Sequence, residues 1–237
     1  GGEPVAHDAL YHGKSAYLNK GFFTFRVLLF FGIWCGLASV FRYCSFRMDA
    51  QPELRWLKWA VRMSAIGIPL TALSLTFAAI DWFKSLEFHW FSTMYGVWFF
   101  AASMRAALAT TILLCVFLAR KSYLKGIFKQ AHRYDLACLC LAFTVFWAYI
   151  SFSQYFLIYN ANIPEETFWY NIREVDPLTY AKNGWFYVSV YGLIFGHFFI
   201  PFLYLLWYNN KIKIGRLVFI CCWILLFQLI DFYFNLL

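Results

Sequence analysis

The sequence predicts an all-α, polytopic membrane protein with six transmembrane helices, and three observations carry that prediction. Of its 237 residues, 62% are hydrophobic and only 14% are charged, against roughly 45–50% apolar residues in soluble domains. Apolar runs of about 20 residues recur, each long enough to cross a hydrocarbon core of about 30 Å as a helix. Runs such as 62–80 and 214–230 are apolar on every side, whereas a membrane β-strand alternates over about ten residues. A water-soluble enzyme is thereby excluded as the default reading. The net charge of +8 is read from its distribution rather than as a nucleic-acid footprint.

Residues 1–20 open Gly-Gly-Glu-Pro without an initiator Met and lack the basic and apolar regions of a signal peptide. We read 1–237 as a single transmembrane domain, the C-terminal portion of a longer subunit. Span one covers 22–41 and leads into the basic connection 42–62, with Arg42, Arg47, Arg55, Lys58 and Arg62. Span two, 62–82, contains Pro69 and ends on Asp81 and Trp82; Glu87 and His89 fill the short turn that follows. Span three, 91–118, carries Arg105 and leads to a second basic connection, 120–133. Span four, 134–158, opens with Asp135 beside Arg133, where an acid at a helix N-terminus is favourable without any function. The loop 159–183 is longer than adjacent helices require and holds Glu165, Glu166 and Trp169. It is either a docking surface for an external partner or a cover over the bundle. Span five, 184–208, carries His197 and Pro201; span six, 214–235, carries Gln228 and Asp231.

Thirteen Lys and Arg lie on one side of this topology and five on the other. The basic connections are therefore expected in the cytoplasm and both chain ends outside. Anchoring to anionic lipid is sufficient to explain the basic residues. The 11 tryptophans gather near span ends, where an amphipathic ring suits the interface. The seven cysteines form no Cys-x-x-Cys pattern and read as small apolar packing residues. No metal site and no catalytic residue is predicted.

An ionisable group near the bilayer centre costs at least a few kcal/mol, so each must be accounted for. Arg105 lies about fourteen residues, or roughly 21 Å, from the outer start of span three, and His197 is at similar depth in span five. Either the two form a proton-handling or quinone-contacting pair, or His197 donates to a backbone carbonyl while Arg105 pairs with a neighbouring subunit. Asp81, Glu87, His89 and Asp231 lie toward the outer face and, with Arg105 and His197, are candidates for a proton half-channel. As single residues they read equally as solvated interface groups. Glu165, Glu166 and Trp169 are candidates for partner docking. The difference in depth between His89 and His197 argues against bis-histidine haem ligation.

Three segments carry a family resemblance: Lys14-Ser-Ala-Tyr-Leu-Asn with Phe22-Phe-Thr-Phe-Arg26, the run Asp81–Thr93, and the run Phe152–Tyr170. With His197-Phe-Phe-Ile-Pro201 and Asp231-Phe-Tyr, they resemble the second large membrane subunit of bacterial alternative complex III, a quinol:cytochrome c or electron-acceptor oxidoreductase. That subunit is related to the polysulfide-reductase-type membrane proteins. The resemblance implies an inner-membrane subunit of the respiratory chain without a redox centre of its own. It would scaffold the complex and offer a proton path coupled to quinol oxidation. The implied partners are a paralogous quinol-binding membrane subunit, an iron–sulfur subunit and multihaem cytochromes c. Menaquinone or another quinol, haem c and iron–sulfur clusters would belong to those partners. Family members have about ten helices. This chain departs from the motif at Phe88, where a Pro is expected, and at Arg105, which has no place in it. The alternatives are a purely structural membrane anchor and an ion-coupled secondary transporter; the latter calls for a broken helix or inverted repeats at mid-membrane, and the sequence shows neither.

Overall fold

The computed structural model describes residues 17, 19–86, 90, 92–124, 126–176 and 178–236. Six helices are long and apolar enough to cross a membrane, and the described residues form no strand beyond one isolated bridge between Val175 and Lys182. The protein is an all-α, multi-pass membrane protein. Its chain divides into two compact units, one ending at His89 and one beginning at Trp90.

The first unit is a helical hairpin. Helix α1, Lys20–Ala50, starts where the Asn19 side chain accepts the Phe22 N–H at 2.8 Å, which satisfies one of the amides that a helix N-terminus leaves open. Helix α2 runs Leu54–Trp82, and a single 3₁₀ turn, Lys84–Leu86, follows it. The hydropathy reading ends span one at 41 and starts span two at 62, yet only residues 51–53 connect the helices. Charges lower hydropathy without interrupting backbone hydrogen bonding, and here they sit on aromatic rings. Arg47 lies 5.2 Å from the Tyr43 ring and Arg55 4.8 Å from Trp56. Between the helices Trp34 Nε1 donates to Ser74 Oγ at 2.9 Å. Gly67 permits close approach, since a Cβ there would stand 3.2 Å from Leu37 Cδ2.

The second unit holds α3 (Tyr95–Arg120), α4 (Gln130–Ala161), α5 (Pro164–Glu174), α6 (Gly184–Leu206), α7 (Tyr208–Ile212) and α8 (Ile214–Leu236). Its four long helices form a ring in which α3 packs on α4 and α8, and α6 packs on α4 and α8. Small side chains allow this: Ala101, Ala102, Ala109 and Ala137 are wholly buried, as expected where van der Waals packing rather than water drives association. Ala109, Ile112, Ala137, Cys140, Leu205, Leu217, Ile220, Cys221 and Ile224 form one apolar cluster. Not all the basic residues of the connecting segments face lipid. Arg133 Nε donates to Ile212 O at 3.0 Å, and Lys211 is buried with its ammonium 5.2 Å from the Tyr134 ring.

Helix α5 occupies much of the loop 159–183. The left-handed Asn162 (φ 49°) closes α4, and Pro164 opens α5, where a proline costs no hydrogen bond. Its inner face buries Thr167, Trp169, Tyr170 and Arg173. Arg173 ties the helix down by donating from Nε to Phe234 O at 3.1 Å and from Nη1 to Trp169 O at 2.9 Å. This segment is thus a built cover over one end of the four-helix unit.

Candidate functional site

Helix α6 departs from ordinary helical register for half its length. Residues Val188–Phe199 form a π-helix, and the Ile200 N–H reaches back five residues to Phe195 O. A π segment of this length is rare, and shorter ones mark functional sites. Pro201 comes next and has no N–H to offer, either to Gly196 O in π register or to His197 O in α register. Both carbonyls are satisfied from other helices. Trp223 Nε1 of α8 donates to Gly196 O at 2.8 Å, and Arg105 Nη1 of α3 donates to His197 O at 3.2 Å. The proline is accommodated as buried backbone in a membrane must be, by side chains that re-satisfy what it frees.

Arg105 is the centre of a buried polar cluster drawn from all four long helices. It is 0% exposed, as is His197, with Asp231 at 1% and Gln228 at 2%. Arg105 Nη2 donates to Gln228 Oε1 at 3.0 Å and lies against the His197 ring, 3.0 Å from Nδ1 and hydrogen-bonded at Nε2. Arginine has donors only, so the ring nitrogen that faces it accepts. His197 Nε2 also stands 3.6 Å from Asp231 Oδ2. That same carboxylate oxygen accepts Trp147 Nε1 at 3.0 Å and Gln228 Nε2 at 3.3 Å, while Asn235 Nδ2 donates to Oδ1 at 3.1 Å. Trp147 touches the whole group. Its ring meets the His197 ring edge to face at 4.4 Å, and the Arg105 guanidinium lies 5.0 Å over it.

The expected approach of Arg105 and His197 is therefore what the structure places here. The repulsion that two cations would suffer is relieved, because the imidazole can accept from the guanidinium and Asp231 supplies the countercharge. The alternative, His197 donating to a carbonyl and Arg105 paired outside the chain, is reversed: Arg105 donates to the carbonyl of His197, and its partners lie within one unit. Among the described residues only Arg105 Nε lacks a hydrogen-bond partner on this side chain. The carboxyl group and the imidazole, 3.6 Å apart, stand just beyond a direct hydrogen bond, so a proton passes between them on a small approach or by way of one water.

A cavity of about 550 Å³ leads away from this cluster. Asp231 and Trp147 line it, as do Arg173 and Glu174 at the end of α5 and Leu193, Phe198 and Phe199 on α6. Ten of its 21 lining residues are aromatic.

The remaining expected residues divide. Asp81 is buried in the first unit, not solvated, and pairs with Arg26 Nε at 2.5 Å. Tyr17 Oη donates to its other oxygen at 2.7 Å, and Arg26 Nη1 donates to Tyr17 O at 3.0 Å. Burial and the neighbouring carboxylate push the Tyr17 phenol up to about 12. Glu87 and His89 lie outside the described residues. Glu165 is exposed and Glu166 half-buried in the first turn of α5, where negative charge suits the helix dipole. Trp169 is only 3% exposed, stacked on Trp90 at 4.6 Å and beneath Arg173 at 3.8 Å. It holds α5 in place and presents no exposed ring to a partner.

The pairing of Arg26 with Asp81, the contacts of Trp147 and Arg173, and the π register are features of the structure that the sequence does not reveal. Arg26 had an available signal, being an arginine inside an apolar run with Asp81 at the matching end of the next one. No protein-family model matches the sequence, and no curated protein is significantly similar to it.

Proposed function

We propose that this chain is an accessory membrane subunit of a quinol-oxidising respiratory complex of the alternative complex III kind. It holds no redox centre itself and offers protons a route between the outer face and the membrane interior. The observation that carries this reading is the wholly buried Asp231–His197 contact at 3.6 Å, with Arg105 alongside. Ionisable groups at such depth are costly and mark proton relays or ion paths. The family resemblance of the motifs around Asp81, His197 and Asp231 supports the same assignment. In this reading the subunit sits in a bacterial inner membrane with its basic segments cytoplasmic. A paralogous quinol-binding subunit, an iron–sulfur protein and multihaem cytochromes c surround it.

Affinity purification of the tagged chain in mild detergent, with mass spectrometry and a reduced-minus-oxidised spectrum, tests the assignment. Co-purifying c-type cytochromes and an iron–sulfur subunit are expected. A lone, colourless protein would overturn it.

A purely structural reading draws on α5, whose N-terminal Glu165 is exposed while its inner face is anchored. In that version the helix is a platform for an external subunit. The ion-coupled transporter reading requires an unwound helix at mid-membrane. Helix α6 is widened there but stays wound, so this reading has less support.

A further inference from the structure

The cavity of the second unit has a polar end and an apolar end. Arg173 and Glu174 close α5, and Asn235 lies next to the last residue of α8. These three line the end nearest the helix termini. The opposite end is formed by Leu193, Phe198 and Phe199, well inside the span of α6. The gradient runs along the helices, from a face of the membrane towards its interior.

Water is a poor occupant of such a space, because a buried water needs two to four polar partners. Most of the polar groups that line it are already engaged by protein, and Ser151 Oγ, which is buried without a partner among the described residues, is a single group where a water needs at least two. Asp231 accepts from Trp147, Gln228 and Asn235, and Gln154 is held between Ser92 and Tyr170. An empty void of about 550 Å³ would forfeit packing energy comparable to the whole stability of a small domain. The volume falls in the ordinary range of ligand sites, roughly 300–1,000 Å³. We infer that the cavity binds one apolar chain of a membrane lipid, with the small polar head at the Arg173–Glu174–Asn235 end. A phospholipid acyl chain and the isoprenoid tail of a quinone share this chemistry. The inference is independent of the respiratory assignment, since it follows from the shape and polarity of the cavity alone.

The test is native mass spectrometry of the full chain released from detergent, with extraction and identification of retained lipid. Val190→Trp and Ala148→Leu each fill the cavity from one wall; Leu203→Trp places the same indole on the exposed side of α6 and is the control. The native chain and Leu203→Trp should each retain about one lipid, and Val190→Trp should lower occupancy by about tenfold or more. Ala148→Leu should fall between them and carries the test if circular dichroism shows Val190→Trp to be misfolded. A phospholipid or an isoprenoid quinone in the extract would each support the inference and settle the source. A folded native chain that retains no lipid, or equal occupancy in the native and both cavity-filling proteins, would overturn it.

Discussion

Replacing Arg105 with Met removes the group on which the buried cluster converges while keeping most of the side-chain volume. Arg105 makes hydrogen bonds to Gln228 Oε1, to the His197 carbonyl and to the His197 ring. Hydrogen bonds between membrane helices average about 0.6 kcal/mol and reach about 1.7; those from charged donors reach about 1.5–3 in soluble proteins. Arg105 is wholly buried, so the upper membrane value applies, and three such bonds amount to about 5 kcal/mol. Breaking one side of a buried charge cluster costs about the same, 3–5 kcal/mol, because the partner is left uncompensated. The His197 carbonyl would be doubly affected, since Pro201 already denies it a backbone donor. Reversible unfolding in mixed micelles with an anionic detergent, followed by far-ultraviolet circular dichroism, should show the folding equilibrium falling by a factor of at least about 100. Arg105→Lys keeps the charge without the fork that spans two helices, and should lose about half as much free energy. A loss below about 1 kcal/mol for Arg105→Met would refute the reasoning, because the cluster would then be hydrated and its hydrogen bonds replaceable by water.

Three further outcomes follow from the same structure. A Cβ at Gly196 would stand 2.6 Å from Phe227 Cζ, and Phe227 is backed by Trp223 at 4.7 Å; Gly196→Ala should therefore cost about 1–3 kcal/mol in the same unfolding assay, whereas Gly32→Ala, with nothing within 4 Å of its Cβ, should cost nothing. Tyr17 should titrate near 12 rather than at the ordinary phenol value of about 10 in an ultraviolet difference titration against Tyr17→Phe; because its folded-state value is raised, the stability it contributes is complete below about 10 and is lost as pH rises towards 12. Charge reversal at both Glu165 and Glu166 should cost the isolated chain only about 0.3–1 kcal/mol for each residue, through the dipole of α5, yet should release the extramembrane subunits if α5 is their platform, as read by co-purification.

The spans were legible because length and hydropathy are properties of the sequence alone, and the shared depth of Arg105 and His197 followed from counting residues along two of them. What the sequence hides is which neutral groups complete the cluster. Trp147 is one of 11 tryptophans, and nothing in a one-dimensional pattern separates the one that meets Asp231 from those at the interfaces. Pro201 announces a lost donor but not the register change before it, since the compensating donors, Trp223 and Arg105, lie on other helices. In the sequence Asp81 is one of several carboxylates near the outer ends of spans. Its partner Arg26 is 55 residues away, and only the helical hairpin brings the two together. The loop 159–183 left docking surface and cover as open alternatives; α5 buries one face under Arg173 and exposes Glu165 at its start.

The central claim, that the Asp231–His197 contact passes protons, is tested most directly by the proton yield per quinol oxidised in the purified complex reconstituted into vesicles. With Asp231→Asn the hydrogen-bonding shape of the carboxyl group is largely kept and its titratable proton is lost. The account predicts an assembled complex whose proton release per electron is reduced, with His197→Ala giving the same direction of change. Unchanged quinol oxidation and unchanged proton release in both assembled variants would contradict it.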